Sequence, residues 1–180
     1  MIRTIRKIFP IWAYDKEEKW LNEMSATGLQ CCGIGLCTYH FKEGDPGEYV
    51  YRLEMLDNLP SHIKSVQYIR FLEETGVEHI GSIFRWVYFR KKAGDEPFDI
   101  YSDINSRITH LNRILLLLGI LVIVNLINAL NMLSSWLQLG MSRALTTSIL
   151  CFVFCLLSGY GFALIYFRKC KLKREKILRE

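Results

Sequence analysis

The stretch Ile114-Leu-Leu-Leu-Leu-Gly-Ile-Leu-Val-Ile-Val-Asn-Leu-Ile-Asn-Ala-Leu-Asn-Met-Leu133 is apolar and contains no charged residue. A helix of about 20 residues, rising about 1.5 Å per residue, crosses a hydrocarbon core of about 30 Å. A second uncharged apolar run extends from about Ala144 to Phe167. Two such runs, separated by a short polar break, predict a transmembrane helical hairpin.

Basic residues predict the orientation of this hairpin. Residues 168–180 carry seven Lys and Arg against two Glu, whereas Arg143 is the one basic residue of the segment 134–143 between the runs. Because short flanking segments rich in Lys and Arg stay in the cytoplasm, we expect both termini to be cytoplasmic in a multi-pass protein of the inner membrane. The basic tail is then expected to contact anionic lipid headgroups.

The charge of +5 is unevenly distributed along the chain. Residues 1–100 carry 13 Lys and Arg against 15 Asp and Glu, whereas residues 101–180 carry 10 against 3. The basic excess therefore flanks the membrane, and no basic face is left on the N-terminal part for nucleic acid. We expect no nucleic-acid partner.

Apolar patterning before the first run predicts a cytosolic α+β domain. We expect strands at 6–14, 29–41, 48–55 and 77–89, the last with a bend or tight turn at 81–82, and helices at 15–27 and 61–75. A turn at 42–47 is expected to pair 29–41 with 48–55 as a hairpin. This strand–helix–strand–strand–helix–strand order is ferredoxin-like, βαββαβ, with both helices on one face of an antiparallel sheet. The expected organisation is a cytosolic domain at 1–92, a polar linker and juxtamembrane helix at 93–112, a transmembrane hairpin at 113–167 with spans at about 114–133 and 144–167, and a basic tail at 168–180.

Four motifs in the N-terminal domain resemble one family. They are Phe9-Pro-Ile-Trp-Ala-Tyr-Asp-Lys-Glu-Glu-Lys-Trp-Leu-Asn-Glu-Met-Ser-Ala-Thr-Gly28, Tyr39-His-Phe41, Gly44-Asp-Pro-Gly-Glu-Tyr-Val-Tyr-Arg52 and Trp86-Val-Tyr-Phe89. Together they are similar to a bacterial membrane-protein family catalogued as domain of unknown function 2812. The resemblance implies C-terminal membrane spans and no particular activity. Members of that family are often encoded beside PadR-type transcription factors, which implies a regulatory setting.

A cysteine cluster invites comparison with zinc sites. Cys31, Cys32, Cys37 and His40 lie close together in the sequence, but zinc ligands usually come in pairs two to four residues apart. Adjacent residues on a strand also point to opposite faces. We expect small core or sheet residues here, with no metal and no cofactor.

Catalytic patterns are weak in this sequence. The four His residues are scattered, and no nucleophile is flanked by glycines as in known catalytic motifs. Glu17, Glu18 and Glu23 fall on the first predicted helix, where a solvated acidic face is the common explanation. We therefore expect no catalytic residues and no enzymatic activity. A partner or ligand surface is predicted at Trp20, Asn22 and Glu23, within the family-like motif.

Polar residues in the apolar runs predict helix packing. Asn side chains are costly in lipid, so they are expected to face protein or water. A stripe of small residues in the second run lets helices approach closely, and we expect the Asn face to pack on it, within one chain or between chains. The residues are Asn125, Asn128 and Asn131 in the first run, and Thr147, Cys151, Cys155, Gly159 and Ala163 in the second.

Two functional hypotheses follow from these patterns. The first is a non-catalytic regulatory or sensory module, anchored in the membrane, whose cytosolic domain binds a partner or ligand. The alternative is an accessory or pore subunit of an oligomeric transport assembly, because two spans alone cannot enclose a pathway. The partner is accordingly an unknown protein or further copies of the chain.

Overall fold

The computed structural model describes residues 2–94, 98–100 and 104–177. The chain divides into two compact units, Met1–Ser106 and Arg107–Glu180. In chain order the elements are β1 (Ile2–Arg6), a short 3-10 helix (Ile11–Ala13), α1 (Tyr14–Ala26), β2 (Leu29–Gly35), β3 (Thr38–Glu43), β4 (Tyr49–Met55), α2 (Ile63–Glu74), β5 (Glu78–Ile83), β6 (Trp86–Lys92), α3 (Ile104–Leu139) and α4 (Ser142–Ile177).

The first unit contains two antiparallel sheets of three strands each. Their strand orders are β1-β3-β2 and β4-β6-β5. Leu21 of α1 is completely buried among residues of both sheets, including Phe41 of β3 and Tyr51 of β4. One helix therefore closes a core that the two sheets share.

The two helices lie on opposite faces of the second sheet. Tyr88 of β6 belongs to the core under α1, whereas its neighbours Val87 and Phe89 belong to a separate cluster with Ile69 of α2. Successive side chains of a strand point to opposite faces. The expectation that both helices cover one face is therefore wrong.

The α+β class, the ferredoxin-like order in outline and the following pair of long apolar helices are confirmed. Two predicted strands are each a hairpin instead. The strand at 29–41 divides at Leu36–Cys37. The strand at 77–89 divides at Phe84–Arg85, after the bend expected at 81–82, which lies within β5. Neither turn contains the Asn-Gly or Asp-Gly pair that marks such hairpins in a sequence.

Two further local predictions are corrected. The first strand lies at Ile2–Arg6 rather than at 6–14, because Pro10 starts a turn in which its carbonyl accepts from the Ala13 N–H at 2.8 Å. The expected pairing of 29–41 with 48–55 is absent from the described sheets, since β3 pairs with β1 and β2 while β4 pairs with β6.

The second unit is built from α3 and α4. A turn at Gly140, with φ of +63°, joins the two helices. Both are long and apolar enough to cross a membrane, which suggests a membrane protein, and the predicted spans lie within them. Parts of the predicted linker, 95–97 and 101–103, and the last tail residues, 178–180, lie outside the described residues.

Candidate functional site

Polar side chains of α1 take the place of a neighbouring strand along the free edge of β4. Asn22 Oδ1 accepts from the Tyr51 N–H at 2.9 Å, and its Nδ2 donates to the Tyr51 carbonyl at 3.1 Å. One turn earlier in the helix, Glu18 Oε2 accepts from the Leu53 N–H at 3.0 Å. These bonds satisfy backbone groups that an edge strand otherwise leaves unpaired.

Ser25 continues the same row of side chains by one more turn. Its buried hydroxyl lies 2.7 Å from the Tyr49 carbonyl oxygen and 2.8 Å from Oε1 of Gln30. Gln30 Nε2 in turn donates to the Asp45 carbonyl at 2.6 Å. The end of α1, the start of β2 and the loop before β4 are thereby joined. We call Glu18, Asn22 and Ser25 the edge stripe.

The spacing of the edge stripe explains how a helix can serve a strand. Its residues recur after four and then three positions, which advances about 6.0 and about 4.5 Å along the helix axis. Their partners Leu53, Tyr51 and Tyr49 are two positions apart, a step of about 6.6 Å along a strand. Helix and strand run in opposite directions and stay nearly in step for two turns.

Glu17 is a buried carboxylate held by two tyrosines. Its Oε1 accepts from the Tyr39 hydroxyl at 2.6 Å and from the Tyr88 hydroxyl at 2.7 Å. Burial raises the pKa of Glu17 above its ordinary value, although both hydrogen bonds act in the opposite direction. Burial and the neighbouring Glu17 carboxyl raise the pKa of both tyrosine hydroxyls, so these keep their protons and continue to donate.

The expectation that Glu17 and Glu18 lie on a solvated acidic face is wrong. Glu17 is buried, and Glu18 forms an ion pair with Arg52 at 3.2 Å. Burial still raises the pKa of Glu18, because it outweighs the lowering effect of Arg52. One sequence signal could have identified Glu17: it lies four residues before the buried Leu21 and therefore shares the apolar face of α1.

The predicted partner surface is dispersed in the structure. Trp20 packs in an aromatic cluster, with its ring centroid 4.9 Å from that of Tyr39. The amide of Asn22 is bonded to β4. Glu23 points to solvent with 61% of its side chain exposed, 3.8 Å from Lys19. The three residues do not form one exposed surface, and Glu23 stays the predicted contact point.

Cys31, Cys32 and His40 lie in the first sheet, and Cys37 lies in the turn between β2 and β3. Cys31 is buried, and burial raises the pKa of its thiol to about 12, which makes it a poor nucleophile and metal ligand. Cys32 Sγ donates to the His40 carbonyl at 3.4 Å. Within the described residues, no group of three or more His, Cys, Asp or Glu could hold a metal ion.

Small and polar side chains connect α3 with α4. Ser148 Oγ donates to the Ala129 carbonyl at 2.8 Å, and Cys155 Sγ to the Val122 carbonyl at 3.7 Å. The buried residues of α4 form two groups, each with steps of three or four residues, in keeping with a helix that faces one partner. They are Ala144, Ser148, Ser158, Gly161 and Ile165.

The predicted small-residue stripe departs from this contact because it repeats strictly every four residues. Four residues turn a helix by about 400°, so the stripe drifts by about 40° at each step. Cys151 is half-buried, but Thr147 and Ala163 at the two ends of the stripe are exposed. A Cβ on Gly159 would meet nothing within 4 Å. Within one chain the middle of the stripe thus lies at the contact with α3 and its two ends lie away from it. Packing of the stripe between chains stays a prediction.

The asparagines of α3 are placed unequally. Asn125 Nδ2 donates to the Leu121 carbonyl of its own helix at 2.8 Å. Asn128 and Asn131 are exposed, and neither side chain makes a hydrogen bond within the part of the chain that the structure describes. They do not pack on α4 within one chain, and packing between chains stays a prediction.

Comparison with known proteins identifies one similarity. A family described as "Protein of unknown function (DUF2812)" matches residues 13–123. The matched region begins immediately before α1 and ends within α3, and it includes the edge stripe and both sheets except β1. No curated protein and no solved structure matches the chain.

The edge stripe leads to a stability prediction. Asn22→Ala leaves both backbone groups of Tyr51 without their partner, so we expect the free energy of unfolding to fall by about 2 kcal/mol. Urea titration of the full-length protein, followed by near-ultraviolet circular dichroism, measures the change. The control Glu23→Ala, one residue away and exposed, is expected to change it by less than about 0.5 kcal/mol. Equal losses for the two variants contradict the structural role of Asn22.

The Glu17 cluster leads to a pH prediction. A carboxyl whose pKa is raised in the folded state adds to the free energy of unfolding. This stabilisation is fully present below the pKa of the unfolded state, and it is lost as the pH rises through the pKa of the folded state. Glu17→Gln keeps an oxygen for both tyrosines but removes the titration. Relative to the unchanged protein, its free energy of unfolding is expected to rise as the pH increases from 4.5, the ordinary Glu value. Urea titrations across this range test it, with the exposed Glu23→Gln as control. An unaltered pH slope in Glu17→Gln contradicts the assignment.

Proposed function

The chain belongs to the DUF2812 family of proteins of unknown function, and on that premise we propose that it is a membrane-anchored regulatory or sensory module whose first unit binds a protein partner. Three features of the chain support this function: the apolar helices α3 and α4, the structural use of the family motif, and the apolar surface of α2.

Anchoring is supported by the two apolar helices together with the charges that flank them. α4 continues as a helix to Ile177, beyond the apolar run, and its last turns carry basic residues such as Arg174 and Lys176. Basic side chains beside a span favour the cytoplasmic side and anionic headgroups. We accordingly assign both termini to the cytoplasm and the two spans to the inner membrane.

A non-catalytic role is supported by how the chain uses its family motif. Glu17, Glu18 and Asn22 direct their polar atoms to groups of the first unit itself. Catalytic side chains instead present their reactive atoms to a substrate position. This engagement of the motif within the fold is the observation that carries the proposal.

Partner binding is supported by the surface of α2. Phe71 is 60% exposed, and Ile63 of the same helix is exposed as well. Exposed apolar side chains that form a contiguous patch mark protein contact sites, and we assign Ile63 and Phe71, about two turns apart on α2, to such a patch. A protein partner at α2, with Glu23 of α1 as a second predicted contact, is the interaction that we assign to the first unit.

The partner is tested by native mass spectrometry of the full-length protein extracted from its own membrane. We expect a discrete complex with a second protein, and Phe71→Ser is expected to reduce its yield about tenfold without lowering the unfolding temperature. Phe84→Ser, which removes an equally large exposed side chain elsewhere, is the matched control and keeps the complex. Recovery of homo-oligomers alone contradicts the regulatory proposal.

The alternative function is an accessory or pore subunit of a transport assembly. The observation in its favour is the exposure of Asn128 and Asn131 on an otherwise apolar helix, since polar side chains in a span often mark ion or substrate pathways. Ion flux into vesicles containing the protein tests this role. A pathway along these residues predicts flux that Asn128→Leu abolishes and Asn125→Leu preserves, because Asn125 is bonded within its own helix. No flux above that of empty vesicles contradicts the transport role.

A further inference from the structure

Two hairpin turns of the first unit expose large apolar side chains. Leu36, in the turn between β2 and β3, is 72% exposed, and Phe84, in the turn between β5 and β6, is 78% exposed. Both are two-residue turns, as the pairs Gly35–Thr38 and Ile83–Trp86 show. Neither side chain contributes to the buried cores of the unit.

The backbone of these turns makes their residue types unusual. Phe84 has φ of +53°, and Cys37, which follows Leu36, has φ of +55°. Positive φ is strained for residues with bulky side chains, and such turns favour Asn and Gly. Phe84 therefore has a strained backbone, and its side chain is exposed to solvent. This combination indicates a contact outside the unit.

The two turns project from the same end of the unit because β2 and β5 run in parallel beside each other. Arg90 Nη1 donates to the Cys31 carbonyl at 3.0 Å, and Arg90 is paired with Glu78 at the start of β5. Three residues further along each strand, a Cβ on Gly81 would lie 3.1 Å from Cβ of Ile34. Each turn follows shortly after this contact.

A third exposed apolar residue lies beside the first turn. The Lys7 N–H donates to the Cys37 carbonyl of this turn at 3.1 Å, and Ile8, which is 79% exposed, follows Lys7 in the chain. We call Ile8, Leu36 and Phe84 the apolar tips.

Basic side chains accompany the apolar tips. Arg6 and Lys7 precede Ile8, and Arg85 follows Phe84. Lys7 Nζ lies over the rings of Phe9 and Trp20, 4.9 and 4.5 Å from their centroids. Arg85 Nε donates to the Leu56 carbonyl at 2.7 Å. Apolar side chains flanked by cations are the combination that anionic lipid surfaces attract.

We propose that the apolar tips insert into the headgroup region of a lipid bilayer and hold this end of the first unit against the membrane surface. A bilayer requires no matching surface, and each apolar group is stabilised independently on entering it. This inference rests on the proposed anchoring of α3 and α4 in a membrane.

Photo-crosslinking of the full-length protein tests this inference. Benzoylphenylalanine is placed at position 84, 36 or 71 in separate variants, which are reconstituted into vesicles of phosphatidylethanolamine and phosphatidylglycerol. After illumination, intact-mass spectrometry measures the fraction of chains that carry one lipid mass. Positions 84 and 36 are expected to give about fivefold more lipid adduct than position 71, the matched site of an exposed Phe on α2.

A second variant separates membrane contact from folding. Phe84→Asn supplies a residue that suits positive φ, so the unfolding temperature is expected to stay equal or rise while the lipid adduct from position 36 decreases. Equal adduct at 71 and 84, adducts with the mass of a second chain, or no adduct at 84 each overturn the proposal. A lower unfolding temperature for Phe84→Asn overturns it too, because Phe84 is then a structural residue.

Discussion

The first unit depends on the pairing of a helix with a strand edge. Asn22 replaces both hydrogen bonds that a neighbouring strand would offer to Tyr51, and Glu18 and Ser25 serve the adjacent positions. This pairing determines how α1 lies on the second sheet, and Leu21 then fills the core between the sheets. The polar residues of the most family-like segment thus have a structural explanation: side-chain amides, carboxylates and hydroxyls at helical spacing can substitute for a β-ladder.

Buried polarity accompanies this arrangement. Glu17 lies in the same core as Tyr39 and Tyr88, and its environment raises its pKa although two hydroxyls donate to it. A buried carboxylate is costly unless its hydrogen bonds are satisfied, and a displaced α1 would lose both of them. The cluster therefore selects one position of α1 among those that a purely apolar face would permit.

Polar side chains in the described part of the second unit differ in whether they find hydrogen-bond partners. Ser148 and Cys155 satisfy their side chains on carbonyls across the helix pair, whereas Asn128 and Asn131 are exposed. In hydrocarbon, such exposed amides favour additional protein neighbours or water. The first unit, in contrast, exposes large apolar side chains at its apolar tips.

Local patterns in the sequence were sufficient for the elements whose signals are local. The uncharged runs predicted α3 and α4 because an apolar run of this length favours a long helix that could cross a membrane, and the motif beginning at Phe9 indicated the family and helix α1. Sequence patterns missed the hairpin turns at Leu36–Cys37 and Phe84–Arg85, because the usual turn residues are absent there. Burial of Glu17, docking of Asn22 on Tyr51 and the placement of α2 on the opposite face from α1 were decided by tertiary structure. Each depends on partners far away in the chain, and neither spacing nor composition specifies which distant strand a helix will meet.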